Sequence, residues 1–81
     1  MRIRVVAFAA LRERLGTSVV DCELAEGARV RDAWDALARG REGMEALAAS
    51  TRIARNGKVA SFDDAVADGD ELALLPPVGG G

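Results

Sequence analysis

The chain has 81 residues, 49% hydrophobic and 30% charged, and 11 basic against 13 acidic side chains leave a net charge of −2. That length supports one hydrophobic core, and the slight acidic excess excludes nucleic acid as the main partner, since nothing is left over to neutralise phosphates. A single cysteine and no histidine exclude an internal disulfide, a His/Cys metal cluster, and any catalytic triad or thiol–imidazole pair.

No apolar run is long enough to span a bilayer. Met1-Arg2-Ile3 leads straight into a strand pattern without the layout of a signal peptide, so a cytoplasmic protein with no membrane partner is expected. Phe8, Trp34 and Phe62 are the only aromatic residues, so the core is expected to be aliphatic and small.

Arg2 to Ala9 reads as a first strand, with Ile3, Val5 and Ala7 on one face and Arg2, Arg4, Val6 and Phe8 on the other. Ala10 to Leu15 reads as a short helix with Leu11 and Leu15 four apart, stopped by Gly16. Thr17 to Leu24 reads as a second strand, with Val20, Cys22 and Leu24 inward and Cys22 a buried core thiol.

Glu26-Gly27 marks a turn. Val30 to Arg39 is the clearest helix, because Val30, Ala33, Trp34 and Leu37 form one apolar stripe. Its start is weakly capped, with Arg29 where Ser, Thr or Asp would serve best, and Trp34 is expected at the centre of the core. Gly43 to Ala49 adds a short helical turn through Met44 and Leu47.

Thr51 to Arg55 and Lys58 to Ala60 read as two strands joined by the tight reversal Asn56-Gly57. A loop follows, with Val66 tucked between Ser61-Phe62-Asp63-Asp64 and Asp68-Gly69-Asp70. The aspartates around Gly69 lack the spacing of a helix–loop–helix calcium site and read as turn chemistry. Glu71 to Leu75 is the last strand, with Leu72 and Leu74 on one face and Leu75 on the other.

This order points to an α+β chain of the β-grasp, ubiquitin-like architecture, with a mixed sheet of about five strands packed on one main helix. The β-grasp domain would cover residues 1–75, followed by an extended tail over residues 76–81. In that arrangement the first and last strands lie side by side and parallel, which makes Phe8 and Leu75 neighbours where the tail leaves, as an exposed apolar patch or, alternatively, packed under a loop.

The tail itself is Pro76-Pro77-Val78-Gly79-Gly80-Gly81. The prolines favour a stiff, extended departure. The glycines fit a channel too narrow for a side chain, and Pro77 to Gly81 reach roughly 15 Å. The group at the tip is a carboxylate, which becomes reactive once another enzyme activates it, for example as an acyl-adenylate. A frayed, inert end is the plain alternative.

The stretch Val6-Ala7-Phe8-Ala9-Ala10-Leu11-Arg12-Glu13-Arg14-Leu15-Gly16 resembles the opening of the small subunit of molybdopterin synthase, of the ThiS/MoaD sulfur carriers. So does the closing run from Asn56-Gly57 through Asp68-Gly69-Asp70-Glu71 to Pro76-Pro77-Val78-Gly79-Gly80-Gly81. The resemblance implies a sulfur carrier that is not itself a catalyst, with the catalytic residues on the large synthase subunit. No cofactor or metal would be permanently bound.

An E1-like adenylating enzyme would use ATP to activate Gly81, which becomes a thiocarboxylate, with Gly80 completing the diglycine. The tail would then enter the large subunit, in a heterotetrameric synthase, and give its sulfur to a pterin precursor during molybdenum cofactor biosynthesis. By the same resemblance Phe8, Arg12, Leu75, Pro76, Pro77, Val78 and Gly79 would contact partners. The chain departs from the family in carrying Gly79 where Ser or Thr is frequent, and Leu74 and Leu75 where aromatics are common.

Three other readings stay open. One is a sulfur carrier for thiamine or cysteine synthesis. Another is a ubiquitin-like modifier joined through Gly81 to lysines of targets. The last is a binding module with an inert tail.

Overall fold

A computed structural model describes residues 1–76 of the chain. Five strands form one mixed sheet: β1 (Arg2–Ala7), β2 (Val19–Glu23), β3 (Arg52–Arg55), β4 (Lys58–Ala60) and β5 (Glu71–Leu75). The spatial order is β2-β1-β5-β3-β4. β1 and β5 run parallel, with Ala7 opposite Leu74, and the other neighbours are antiparallel. Three helices accompany the sheet: α1 (Ala9–Leu15), α2 (Val30–Ala38) and the short α3 (Met44–Leu47), which runs into a 3₁₀ turn at Ala48–Ser50. This is the α+β, β-grasp arrangement.

The core follows from alternation in the strands and a four-residue rhythm in the helices. Ile3, Val5 and Ala7 of β1, Cys22 of β2, Ile53 of β3, and Leu72 and Leu74 of β5 are buried on one face. Against them pack Val30, Ala33, Trp34 and Leu37 of α2, Leu11 and Leu15 of α1, and Met44 of α3. Trp34 meets Phe62 edge-on, with centroids 5.7 Å apart. The opposite face of the sheet carries no helix in this core.

Several boundaries differ from the pattern-based reading, each for a local reason. β1 stops at Ala7 rather than Ala9, because Phe8 becomes the extended N-cap of α1 and Ala9 turns through a positive φ of 52°. β2 starts at Val19 rather than Thr17. Gly16 is left-handed at φ 77°, and the Thr17 hydroxyl accepts from Val19 N at 3.4 Å and donates to Val19 O at 3.2 Å, a local turn that competes with the ladder.

α2 is better capped than its sequence implies. Asp32 accepts from Arg29 N at 2.7 Å. The loop carbonyls of Asp64 and Phe62 accept from Val30 N and Arg31 N, each at 2.9 Å. The helix donors that lack a side-chain cap are thus satisfied from a loop more than thirty residues away.

The Asp68-Gly69-Asp70 turn ties the sheet together. Asp68 Oδ1 accepts from Arg2 N at 2.7 Å, Gly69 N donates to Arg2 O at 2.8 Å, and Asp70 O accepts from Arg4 N at 2.9 Å. The Asp70 side chain, 6% exposed, accepts from Arg55 Nε at 2.6 Å, Ala67 N at 2.7 Å and Asn56 Nδ2 at 2.9 Å. Burial is the largest single influence on its carboxyl and acts upward. The hydrogen bonds from Asn56, Ala67 and Arg55, with the Arg55 charge, outweigh it and hold the group below the usual carboxylate range.

Candidate functional site

The site is built around the end of β5. This strand is inserted between β1 and β3, so its last residues are fixed by ladders on both sides, and the chain leaves the sheet at a defined place. The final paired residues are Ala7 with Leu74 and Arg52 with Leu75. Phe8 and Leu75 each follow the Ala7–Leu74 pair by one residue and so lie at the same end of the sheet.

Two apolar grooves flank this exit. The first, about 60 Å³, is lined by Phe8, Ala10, Leu11, Leu47, Thr51 and Pro76 among others. The second, about 380 Å³, is lined by Thr51, Arg52, Ile53, Val59, Phe62 and Leu75, together with Ala60. Thr51 borders both. Phe8 is 44% exposed despite its size. The structure therefore brings Phe8 to Pro76 on one side of the exit and leaves Leu75 on the other, in a groove shared with Arg52, Ile53, Val59 and Ala60 of the β3–β4 hairpin.

Arg12 stands one helical turn from Phe8, its backbone N–H donating to Phe8 O at 3.4 Å. It is exposed on α1 beside Ala9 and Ala10, at the rim of the first groove rather than in it. Pro77, Val78, Gly79, Gly80 and Gly81 lie outside the described residues.

The uncovered sheet face extends the site beyond the residues expected from sequence. Register places Val19, Val6, Ala73, Ala54 and Val59 in one row across all five strands. Val59 is 90% exposed and Val19 45%. Beside the row, toward the tail, stands Leu75 opposite Arg52. On the other side the face turns polar, with Arg4 Nε 3.6 Å from Asp21 and Arg2 Nε 3.1 Å from Glu23.

Such a face is half apolar and half ion-paired. The apolar half adjoins the end of β5 and Pro76, and exposed apolar area of this kind is typical of protein-binding surfaces. Val59 and Arg52 escaped sequence reasoning. The signal that could have found them was alternation through the Asn56-Gly57 hairpin, which puts Ala54 and Val59 on the face opposite Ile53.

The chemistry within the domain is sparse. Among the described residues no group of three or more acidic or cysteine side chains is gathered to hold a metal, and no helix is long and apolar enough to cross a membrane. Cys22 is buried. Desolvation, and then the neighbouring Asp21, push its thiol up, with Arg41 acting weakly the other way. It is a packing residue and not a thiolate nucleophile.

Comparison with known proteins agrees with this fold. Small archaeal modifier protein 1 of Haloferax volcanii is 39% identical over 82 residues, covering 91% of this chain and 94% of that protein. The molybdopterin synthase sulfur carrier subunit of Chlamydomonas reinhardtii is 31% identical over 83 residues, covering all of both chains. Among solved structures, molybdopterin converting factor subunit 1 of Pyrococcus furiosus superposes with a TM-score of 0.85 at 32% identity, covering 96% of this chain and 99% of that one. The model of the ThiS family matches residues 5–81, and with that match and relatives covering nearly the whole chain, the chain belongs to the ThiS family of sulfur carriers.

Proposed function

We propose that the chain is the sulfur-carrier subunit of a molybdopterin synthase. The observation that carries this reading is the delivery of Pro76 between two apolar grooves by an inserted central strand, at the edge of an uncovered apolar sheet face. The face docks the large subunit, which supplies the catalytic residues. The tail then threads inward, its glycines passing where a Cβ would not.

The chemistry is carried by Gly81. Its carboxylate oxygen attacks the α-phosphate of ATP on an E1-like adenylating enzyme, and pyrophosphate leaves. A sulfur donor then attacks the acyl carbon, AMP leaves, and a thiocarboxylate remains. Sulfur makes the tip a softer and stronger nucleophile than oxygen did, suited to a pterin precursor. Gly80 keeps the approach narrow. Phe8, Leu75, Pro76, Pro77, Val78 and Gly79 contact the large subunit, and Arg12 contributes charge at the rim. The setting is cytoplasmic and the assembly heterotetrameric.

The test is the intact mass of the chain after co-expression with an adenylating enzyme and a sulfur donor. The expected change is one oxygen replaced by one sulfur, mapped to Gly81 and absent when Gly81 is deleted. An unchanged mass, with an enzyme shown to load its own carrier, rejects the reading, as does loading of the truncated chain. A pterin precursor that accepts the sulfur separates molybdopterin synthesis from a thiamine or cysteine pathway.

A second reading has its own support, since the Haloferax volcanii relative is a modifier protein. Here the activated Gly81 carbonyl passes to an amine instead of a sulfur donor. Both outcomes share the activation step.

A further inference from the structure

We propose that Asn56 is a site of spontaneous covalent modification, in which the peptide nitrogen of Gly57 closes on the Asn56 side chain and expels ammonia, and that the start of β5 is the latch that holds this reaction off. The product cannot re-form the latch, so a chain whose hairpin has opened at this end is marked irreversibly.

The reacting pair stands alone in the sequence. Asn56 is the only asparagine, and the chain has no glutamine, so this is its one carboxamide side chain. The residue after it is glycine, which has no Cβ to hinder attack by its own peptide nitrogen. Both residues are exposed. Beyond the adjoining residues, no atom lies within 4 Å of where a Gly57 Cβ would stand, so water reaches the turn freely.

Two features of the fold restrain the pair. The first is the backbone. Asn56 and Gly57 are both left-handed, at φ 49° and 84°. The ring that would form is five-membered and contains the Cα–C bond of Asn56. Its closure eclipses Cβ with the Gly57 nitrogen, a torsion that the left-handed region does not hold. The second is the β5 end of the sheet. Asn56 Nδ2 donates to Asp70 Oδ1 at 2.9 Å, and Asn56 Oδ1 accepts from Glu71 N at 2.9 Å. Asn56 N donates to Glu71 O at 2.8 Å. Both ends of the carboxamide and the main chain of the same residue are thus tied to residues 70 and 71. Turning the side chain toward Gly57 costs both side-chain bonds and leaves the buried Asp70 carboxylate short of a donor.

The step balances with water alone. A solvent base takes the proton of Gly57 N, which attacks Asn56 Cγ. An N–C bond forms, the Cγ–Nδ2 bond breaks, and ammonia leaves with a proton from water. Water then opens the cyclic imide at either carbonyl, and the net change is one NH replaced by one O. Opening at Cγ gives aspartate. Opening at the former main-chain carbonyl gives isoaspartate, which routes the backbone through the side chain and adds one carbon between Arg55 and Lys58. Neither product donates to Asp70 as the amide did, and both put a second carboxylate beside it. The longer turn also breaks the pairing of Arg55 with Lys58 and displaces Val59 from the apolar row.

The experiment follows the intact mass of the full chain over time at one mildly alkaline pH, folded and in urea, with a peptide map to place the change. The folded chain is expected to modify at least tenfold more slowly than the unfolded one, and only at residue 56. Asp70→Ala, which removes the latch and adds no carboxamide, should recover most of that gap while still folded. Leu37→Val loosens the core on α2 without touching the turn. When urea brings it to the same global stability as Asp70→Ala, it should modify at least fivefold more slowly. Asn56→Asp carries the product side chain from synthesis and should lower the urea midpoint of folding. Equal rates in the folded and unfolded chain, or in Asp70→Ala and the matched Leu37→Val, overturn the proposal. So does a chain that stays unmodified even in urea, or an Asn56→Asp midpoint equal to wild type.

Discussion

Asp70 shows how one side chain sets the frame of the domain. Three donors from Arg55, Asn56 and Ala67 converge on it. Replacing it with Asn puts an amide where a charged acceptor stood and strands at least one buried donor, which costs about 1–3 kcal/mol at neutral pH. Its folded pKa lies below its unfolded value. The contribution is therefore complete above the ordinary carboxylate range, near pH ~4, and is lost as the pH falls through the folded value. Urea unfolding at pH 7 and at strongly acid pH should show wild type and Asp70→Asn well separated in the first and converging in the second.

A neighbouring residue carries strain instead. Ala9 sits at φ 52°, a conformation that costs a side-chain-bearing residue roughly 1–2 kcal/mol. Ala9→Gly removes that cost and adds a smaller entropic one of about 0.5–1 kcal/mol. A small rise in melting temperature is expected, readable by calorimetry. The strained residue directly follows Phe8 and lines the same groove as Pro76, so the strain sits where docking is proposed.

At the level of elements, the β3–β4 hairpin does two things. It closes one end of the sheet, and it carries Val59 to the end of the apolar row. The turn depends on Gly57 at φ 84°. Gly57→Val forces a β-branched residue into the left-handed region and should destabilise the domain by at least about 1 kcal/mol in urea titration. Val59→Glu is the complementary change. Because Val59 is 90% exposed, folding stability should shift by no more than about 0.5–1 kcal/mol.

Docking is another matter, since burying a valine side chain gains about 1.5 kcal/mol or more and a buried unpaired carboxylate adds a further cost. Affinity for the large subunit, measured by titration calorimetry, should fall at least tenfold in Val59→Glu. Equal affinity would remove the hairpin from the docking face.

For the molecule as a whole, every layer serves the exit of one strand. Helices cover one face and supply the core, which leaves the other face uncovered. The parallel pair β1–β5 sets Phe8 and Pro76 on the same edge. In the proposed function, activation of the tip and docking of the face are separable. Deleting Gly81 should abolish loading while leaving affinity for the large subunit within a few-fold, and Val59→Glu should do the reverse. Mass spectrometry and calorimetry on the two variants together test that division.

Much of this was legible in the linear chain. The stripe Val30, Ala33, Trp34 and Leu37, the Asn56-Gly57 reversal, and the alternation of Ile3, Val5 and Ala7 specify their elements, because local periodicity and turn chemistry act over a few residues. The element order was enough for the β-grasp, and residue identity was enough to rule out histidine chemistry. Other features needed the fold. The cap of α2 is made by carbonyls of Phe62 and Asp64, and Asp70 is held down by donors from the β3–β4 hairpin as well as from its own turn. The row from Val19 to Val59 exists only once five strands are in register. These contacts join residues distant in sequence, and register, burial and a shared face are set by packing rather than by any window of neighbouring residues.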